Sequence, residues 1–169
     1  MYLVTGGAGF IGSHTVDALL QAGHEVRVLD NLSTGRSENL AGRTVELVEG
    51  DIRDRDAVAL AVGGCSHVIH LAALVSVPDS CSDPIGYDDT NARGTLHVLE
   101  AARVAGVQRV VMASSCAVYG SLVGDDGVMR EADALAPESP YAASKAINEM
   151  YAVCYSRSLG LSCTALRYF

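Results

Sequence analysis

Short apolar runs alternate along the chain with longer amphipathic ones, and nearly every run closes on Gly or Asp. The short runs are rich in Val, Leu and Ile and apolar on both faces, as parallel strands covered by helices are. They predict strands over residues 2–5, 25–30, 44–49, 67–71, 109–113 and 162–167. The amphipathic runs predict helices over 11–22, 54–62, about 88–105, and 139–159, stopped by Gly23, by Gly63 and Gly64, by Gly106 and by Gly160. Strand and helix alternate to the end, so the expected fold class is α/β, a doubly wound parallel sheet. Right-handed crossovers give it the order 3-2-1-4-5-6, with a ligand crevice at the carboxyl ends of the strands beside the switch between strands 1 and 4. Two connections, 72–87 and 114–138, are too long for plain links; both leave strand carboxyl ends, where a site is expected.

Composition narrows the partners. With 169 residues, 49% hydrophobic and 19% charged, the chain fits one globular domain with a core of its own. Its 12 basic and 20 acidic residues leave a formal charge of -8 without any basic run, which argues against nucleic acid or an anionic membrane as the main partner. A small anionic ligand is still possible, because helix ends bind phosphate inside acidic proteins. Five cysteines (Cys65, Cys81, Cys116, Cys154 and Cys163) form no CxxC pair and no metal-spaced cluster, and an odd count fits reduced thiols. The opening MYLVTGG carries no targeting signal and no run approaches a membrane span, so no metal, no membrane and a cytoplasmic location are expected.

The first strand runs into Gly6-Gly7-Ala8-Gly9-Phe10-Ile11-Gly12, which opens a helix. A sharp turn at Gly6, a pyrophosphate reaching backbone at Gly9 and a helix lying close to the sheet at Gly12 all call for glycine, although Gly-rich turns also open helices for structural reasons alone. Asp30 closes the second strand eighteen residues beyond Gly12. A carboxylate there either takes both ribose hydroxyls of an adenosine, selecting NAD over NADP, or caps the turn Asp30-Asn31-Leu32-Ser33. Asp51, just past the third strand, meets an adenine amino group or serves the turn. Tyr141 and Lys145 stand four apart early in a long helix and so share a face. They are a surface packing pair, or a phenol whose pKa of about 10 is lowered by a neighbouring ammonium until it can act as a base. Ser115, leaving the fifth strand, either shares a substrate proton with Tyr141 or belongs to a turn.

Together these segments resemble the extended branch of the short-chain dehydrogenase/reductase superfamily, the NAD-dependent epimerases and dehydratases of nucleotide sugars. The likeness spans the chain and is carried by TGGAGFIGS, DNLSTG, GDIRD, HLAA, SVPDS, Asn91 in NARGT, SSCAVYG, SPYAASK and the terminal ALRYF. It implies an NAD-binding Rossmann fold in which Tyr141 is the catalytic base, Lys145 holds the nicotinamide ribose, and Ser115 hydrogen-bonds the reacting hydroxyl. For the cofactor it implies Gly6, Gly9, Phe10, Ile11 and Gly12 of the first motif, Asp30 and Asn31 of the second, and Asp51 and Ile52 of the third. Leu71, Ala72 and Ala73 continue the cofactor wall, with Asn91 in support. Ser76 and Val77, with Ser115 and Tyr141, are the implied substrate contacts.

Sugar 4,6-dehydratases of this family place an Asp-Glu pair just before V-Y-G; here Cys116 and Ala117 stand there. Cys116 is an acid in a related dehydration or an inert buried thiol. The resemblance therefore implies a 4-epimerase of UDP-hexose type that oxidises the sugar C4 hydroxyl transiently, working as a homodimer through helices 88–105 and 139–159. Family members continue beyond R-Y-F into a substrate-binding domain, whereas residues 1–169 comprise only the dinucleotide-binding part; a fragment with little activity alone is expected. The alternatives are a non-catalytic NAD-binding module or regulator, and a nucleotide-sugar dehydratase.

Overall fold

The computed structural model describes residues 1–121 and 127–169; residues 122–126, within the expected long connection 114–138, lie outside the described residues. Six strands, β1 (Tyr2–Thr5), β2 (Val26–Asp30), β3 (Glu46–Glu49), β4 (His67–His70), β5 (Arg109–Ser115) and β6 (Ser162–Tyr168), form one sheet in the order β3-β2-β1-β4-β5-β6. Every neighbouring pair is parallel. This is the expected doubly wound topology, with the switch between β1 and β4.

Helices cover both faces. They are α1 (Phe10–Gln21), α2 (Arg55–Val62), α3 (Val77–Ser82), α4 (Pro84–Tyr87), α5 (Gly94–Val104) and α6 (Pro140–Ser158). Successive strand residues point to opposite faces, so Val4 and Val28 pack with Val16 of α1 in one core. Leu3 and Leu29 enter the other, with Val58 and Val62 of α2, Val98 and Leu99 of α5, and Ala152 and Tyr155 of α6. Burying one such Val or Leu contributes about 1.5–3 kcal/mol. Two buried faces are why the strands read as unbroken apolar runs.

The departures from expectation lie beside the crevice. The ladder from β5 to β6 continues through Ser114↔Arg167 and Ser115↔Tyr168, so the two serines are strand residues and not the start of a loop. The helix expected over 88–105 opens as a π-helix, Asp88–Arg93, before α5 begins at Gly94. The connection 72–87 contains α3 and α4, whose first turns are capped by Ser76 and Asp83 accepting from Asp79 N and Gly86 N. A 3₁₀ turn, Cys116–Tyr119, follows β5, with Ser115 Oγ accepting from Ala117 N at its start.

Candidate active site

One cavity of about 740 Å³ runs along the carboxyl ends of the strands, within the size range of small-molecule and cofactor sites. Its floor is the turn from β1 into α1. Gly6 has φ +69, and a Cβ there would stand 2.7 Å from Ala72 N; a Cβ on Gly12 would collide with Gly6 O. Gly9 meets nothing but Gly6 O, at 3.2 Å, and leaves its cavity side open. No side chain caps α1 and no acidic residue occupies its first turn. Backbone N–H groups at a helix start, free of side-chain caps and near a Cβ-free surface, are a cradle for a phosphate.

At one end of the cavity Asp30 is buried, with Oδ2 accepting from Ala8 N and Oδ1 from Leu32 N, both at 2.9 Å. It caps its turn and lines the cavity at once. A carboxylate has about four lone-pair positions, so two remain for hydroxyls. The Leu32 backbone it stabilises has φ +55, the one positive φ among described non-glycine residues. Asp51 takes Arg53 Nε at 2.9 Å, Arg53 Nη2 at 2.7 Å and Asn31 Nδ2 at 2.9 Å. These bonds, from Arg53 above all, hold its carboxyl well below the usual range.

At the other end Ser115, Tyr141 and Lys145 share the wall with Ser114, Cys116, Tyr168 and Phe169. Ser139 caps α6, accepting from Ala142 N, and Pro140 fills the first turn, so Tyr141 and Lys145 lie one turn apart at the start of the helix. Lys145 Nζ is 5.9 Å from the centroid of the Tyr141 ring and donates to Ala113 O on β5 at 3.1 Å. Lys145 is 5% exposed, and burial brings its pKa down to about 8. At neutral pH it is still mostly an ammonium ion, held where the charge is expensive.

Behind this wall Asn91 clamps the chain after β4. Its Oδ1 accepts from Leu74 N, and its Nδ2 donates to Leu74 O and to Ser144 Oγ. Asn91 is fully buried and does not line the cavity, although Leu74 does. His70 is buried between Thr5 and Thr95. Thr5 Oγ1 accepts from Leu71 N and Ala72 N, while Thr95 Oγ1 donates to Asn91 O. The proton order that satisfies all of them is Thr5 O–H to His70 Nδ1, and His70 Nε2–H to Thr95. Burial, and then the charge of Lys145, lowers the His70 pKa to about 3.

Of the residues singled out in the sequence, Gly6, Gly9, Phe10, Ile11, Gly12, Asp30, Asn31, Asp51, Ile52, Leu71, Ala72 and Ala73 line the cavity, as do the three of the Ser/Tyr/Lys set. Asn91, Ser76 and Val77 do not; Ser76 caps α3 and its N–H donates to Tyr87 Oη. Arg53, Asp83 and Thr90 line it without having been expected. The first stands inside the GDIRD motif, but the other two carry no sequence signal of a site. Among the described residues no cluster of three His, Cys, Asp or Glu is placed to hold a metal, and no helix is long and apolar enough to cross a membrane.

Fold and cavity together define a doubly wound, Rossmann-type α/β domain with its crevice at the topological switch point. Residues 2–169 match the model of the NAD dependent epimerase/dehydratase family, and the chain belongs to that family. It is 39% identical over 171 residues to a putative UDP-glucose 4-epimerase of Methanocaldococcus jannaschii, covering 99% of this chain and 55% of the relative. Among solved structures it superimposes on the UDP-glucose 4-epimerase of Thermus thermophilus in complex with NAD at a TM-score of 0.92 and 44% identity, covering 99% of this chain and 54% of that one. A double mutant of the dTDP-glucose 4,6-dehydratase of Streptomyces venezuelae, with NAD bound, matches at a TM-score of 0.91 and 42% identity, covering 99% and 55%. The chain thus spans about half the length of the curated relatives it matches.

Proposed function

We propose that this chain is the NAD-binding part, with the reacting side chains, of a nucleotide-sugar 4-epimerase of UDP-hexose type. The observation that carries the reading is one cavity that unites an uncapped helix start flanked by Gly9 and Gly12, the Asp30 carboxylate and the Ser115, Tyr141 and Lys145 set. A pure binding module has no use for the third of these.

NAD+ would lie along the cavity, with Asp30 at a ribose, Asp51 and Ile52 at the adenine end and the amides of α1 at the pyrophosphate. When bound, it supplies a hydride acceptor that later returns the hydride. Ser115 Oγ orients the sugar hydroxyl. Tyr141 Oη takes its proton as the hydroxyl carbon is oxidised and returns it once the keto sugar has presented its other face. The Lys145 ammonium, 5.9 Å from the Tyr141 ring centroid, is the positive charge that faces it. Leu71, Ala72 and Ala73 close the wall and exclude water from it.

A second reading, a 4,6-dehydratase, draws on the similarity to the Streptomyces enzyme. Elimination needs an acid and a base beyond Tyr141, and the residues after Ser115 are Cys116 and Ala117, neither of them a carboxylate. That favours epimerisation. We also place a homodimer interface on α5 and α6, which expose Val104, Ile147, Met150 and Val153.

The test has two arms. Calorimetry of this chain with NAD should show binding. Conversion of UDP-glucose to UDP-galactose should be slight in this chain, because much of the energy that positions a nucleotide sugar comes from contacts remote from the reacting carbon. Whatever turnover there is should vanish in Tyr141→Phe. Absence of NAD binding, or turnover indifferent to Tyr141→Phe, overturns the reading.

A further inference from the structure

Next to the candidate site, one ion pair gathers four elements of the fold and the chain beyond them. Arg167 on β6 donates from Nε to Glu149 Oε1 at 2.9 Å and from Nη2 to Glu149 Oε2 at 2.7 Å. Its Nη1 donates to Tyr119 Oη at 2.7 Å and to Glu131 O at 3.2 Å, and its guanidinium carbon lies 4.7 Å from the Tyr119 ring centroid. Glu149 Oε1 also accepts from Ser114 Oγ at 2.5 Å. The two charged side chains are only 18% and 13% exposed. Burial pushes the Glu149 carboxyl up, but the bonds from Arg167 and Ser114 outweigh it and hold the pKa below its ordinary value. The same bond to Glu149 raises that of Arg167.

The places these bonds reach are what matter. Ser114 precedes Ser115, and Tyr119 closes the 3₁₀ turn that Ser115 caps, so both ends of segment 114–119 are tied to one ion pair. Glu149 lies one helical turn beyond Lys145 and two beyond Tyr141 on α6. The β5–β6 ladder, which ends at Ser115↔Tyr168, fixes Ser115 within the sheet but does nothing to fix the sheet against the helix. Between β5 and α6, two side-chain bonds among the described residues span that gap, Lys145 to Ala113 O and Ser114 to Glu149, and Arg167 ties β6 to α6 through the same Glu149. The first belongs to the candidate machinery itself, which leaves the second, backed by Arg167, as a dedicated tie.

From this geometry we infer that Arg167 and Glu149 are positioning residues, a latch that sets segment 114–119, and with it Ser115, against the part of α6 that carries Tyr141 and Lys145. The inference deepens the reading above and rests on it for the role of Ser115. Neither Arg167 nor Glu149 lines the cavity. Removing one partner leaves the other charge largely buried and unpaired, so the junction opens more than loss of a surface pair would allow.

Cys116, half-buried inside the segment, reports on it without any need for activity. The rate of alkylation by N-ethylmaleimide would be read at each cysteine by peptide mass spectrometry. The unaltered chain would be compared with Arg167→Ala, Glu149→Gln and the milder Arg167→Lys, which keeps the charge but lacks the fork. In the first two variants the Cys116 rate is expected to rise at least about fivefold, while that of the core residue Cys65 stays unchanged. Arg167→Lys should fall between them and the unaltered chain. A Cys116 rate unchanged in all three, or a parallel rise at Cys65, overturns the inference, the latter because it would make the pair a general stabiliser. NAD binding is measured on the same samples: its absence from the unaltered chain would remove the functional reading and leave the alkylation result standing.

Discussion

Replacing Lys145 by Met separates what the lysine does for the site from what it costs the fold. Lys145 is 5% exposed, and burial lowers its pKa from 10.5 to about 8. Each tenfold change in a proton equilibrium is about 1.4 kcal/mol, so the folded state at neutral pH carries about 3 kcal/mol for keeping this ammonium out of water. The sign follows from proton counts. Below the folded pKa both states hold the proton and the whole cost is present. Between about 8 and 10.5 the unfolded chain holds it and the folded chain does not, so stability rises with pH until the cost is gone. Met has a similar length and no charge, but leaves Ala113 O without the Nζ donor, at about 1 kcal/mol. Lys145→Met should therefore stabilise the chain by about 2 kcal/mol at pH 7 and by about nothing at pH 9.5, read as the difference in urea midpoints at the two pH values. Lys145 is the only lysine in the sequence, so its side-chain NMR signal can be titrated without assignment, and a midpoint near 8 is expected. A variant less stable at pH 7 than at pH 9.5 relative to the unaltered chain, or a lysine midpoint above 10, refutes the reasoning.

Three further outcomes are expected. His70, with its pKa lowered to about 3, stays neutral in the fold while the unfolded chain takes up a proton near pH 6.5, so stability should fall by about 3 kcal/mol between pH 6.5 and pH 4; in His70→Gln that part of the acid dependence should be missing from urea titrations. Asp30→Asn should weaken NAD by about 1.5–3 kcal/mol and narrow its advantage over NADP, measured by calorimetry, and equal affinity for the two in the unaltered chain would sink the assignment. The chain should sediment as a dimer at tens of micromolar, and Met150→Glu on the exposed face of α6 should shift it to monomer.

Some of this was legible in the sequence because its cause is local. Leu3-Val4 and Val28-Leu29 announce strands buried on both faces, since adjacent residues enter the two cores. Gly23, Gly64, Gly106 and Gly160 all have positive φ and follow α1, α2, α5 and α6 within two residues of their ends, which is how a glycine stop works. The cradle was legible for the same reason: Gly6 and Gly12 are excluded from any other identity by atoms of their own turn and of Ala72. What escaped depends on partners far along the chain. Ser114 and Ser115 read as the start of a loop because the residues that make them a strand, Arg167 and Tyr168, are more than fifty positions away. The π-helical opening at Asp88–Arg93 has no compositional mark either, although it carries the Asn91 that holds Leu74.

Asp30 and Lys145 are more instructive, because there the sequence left two readings open. Asp30 was either a ribose ligand or a turn cap, yet the carboxylate caps Leu32 N and Ala8 N and lines the cavity as well. A turn whose Leu32 has φ +55 holds that carboxylate still, and a fixed carboxylate discriminates better between a hydroxyl and a phosphate than a mobile one. Lys145 was either a surface partner of Tyr141 or a tuning charge, and its burial rules out the first. A lysine kept at about 8 in a wall whose other side chains are mostly uncharged costs the fold more below that pH than its one bond to Ala113 O returns. Under the proposed function that charge acts within the cavity, where the Tyr141 ring lies 5.9 Å away on the same helix.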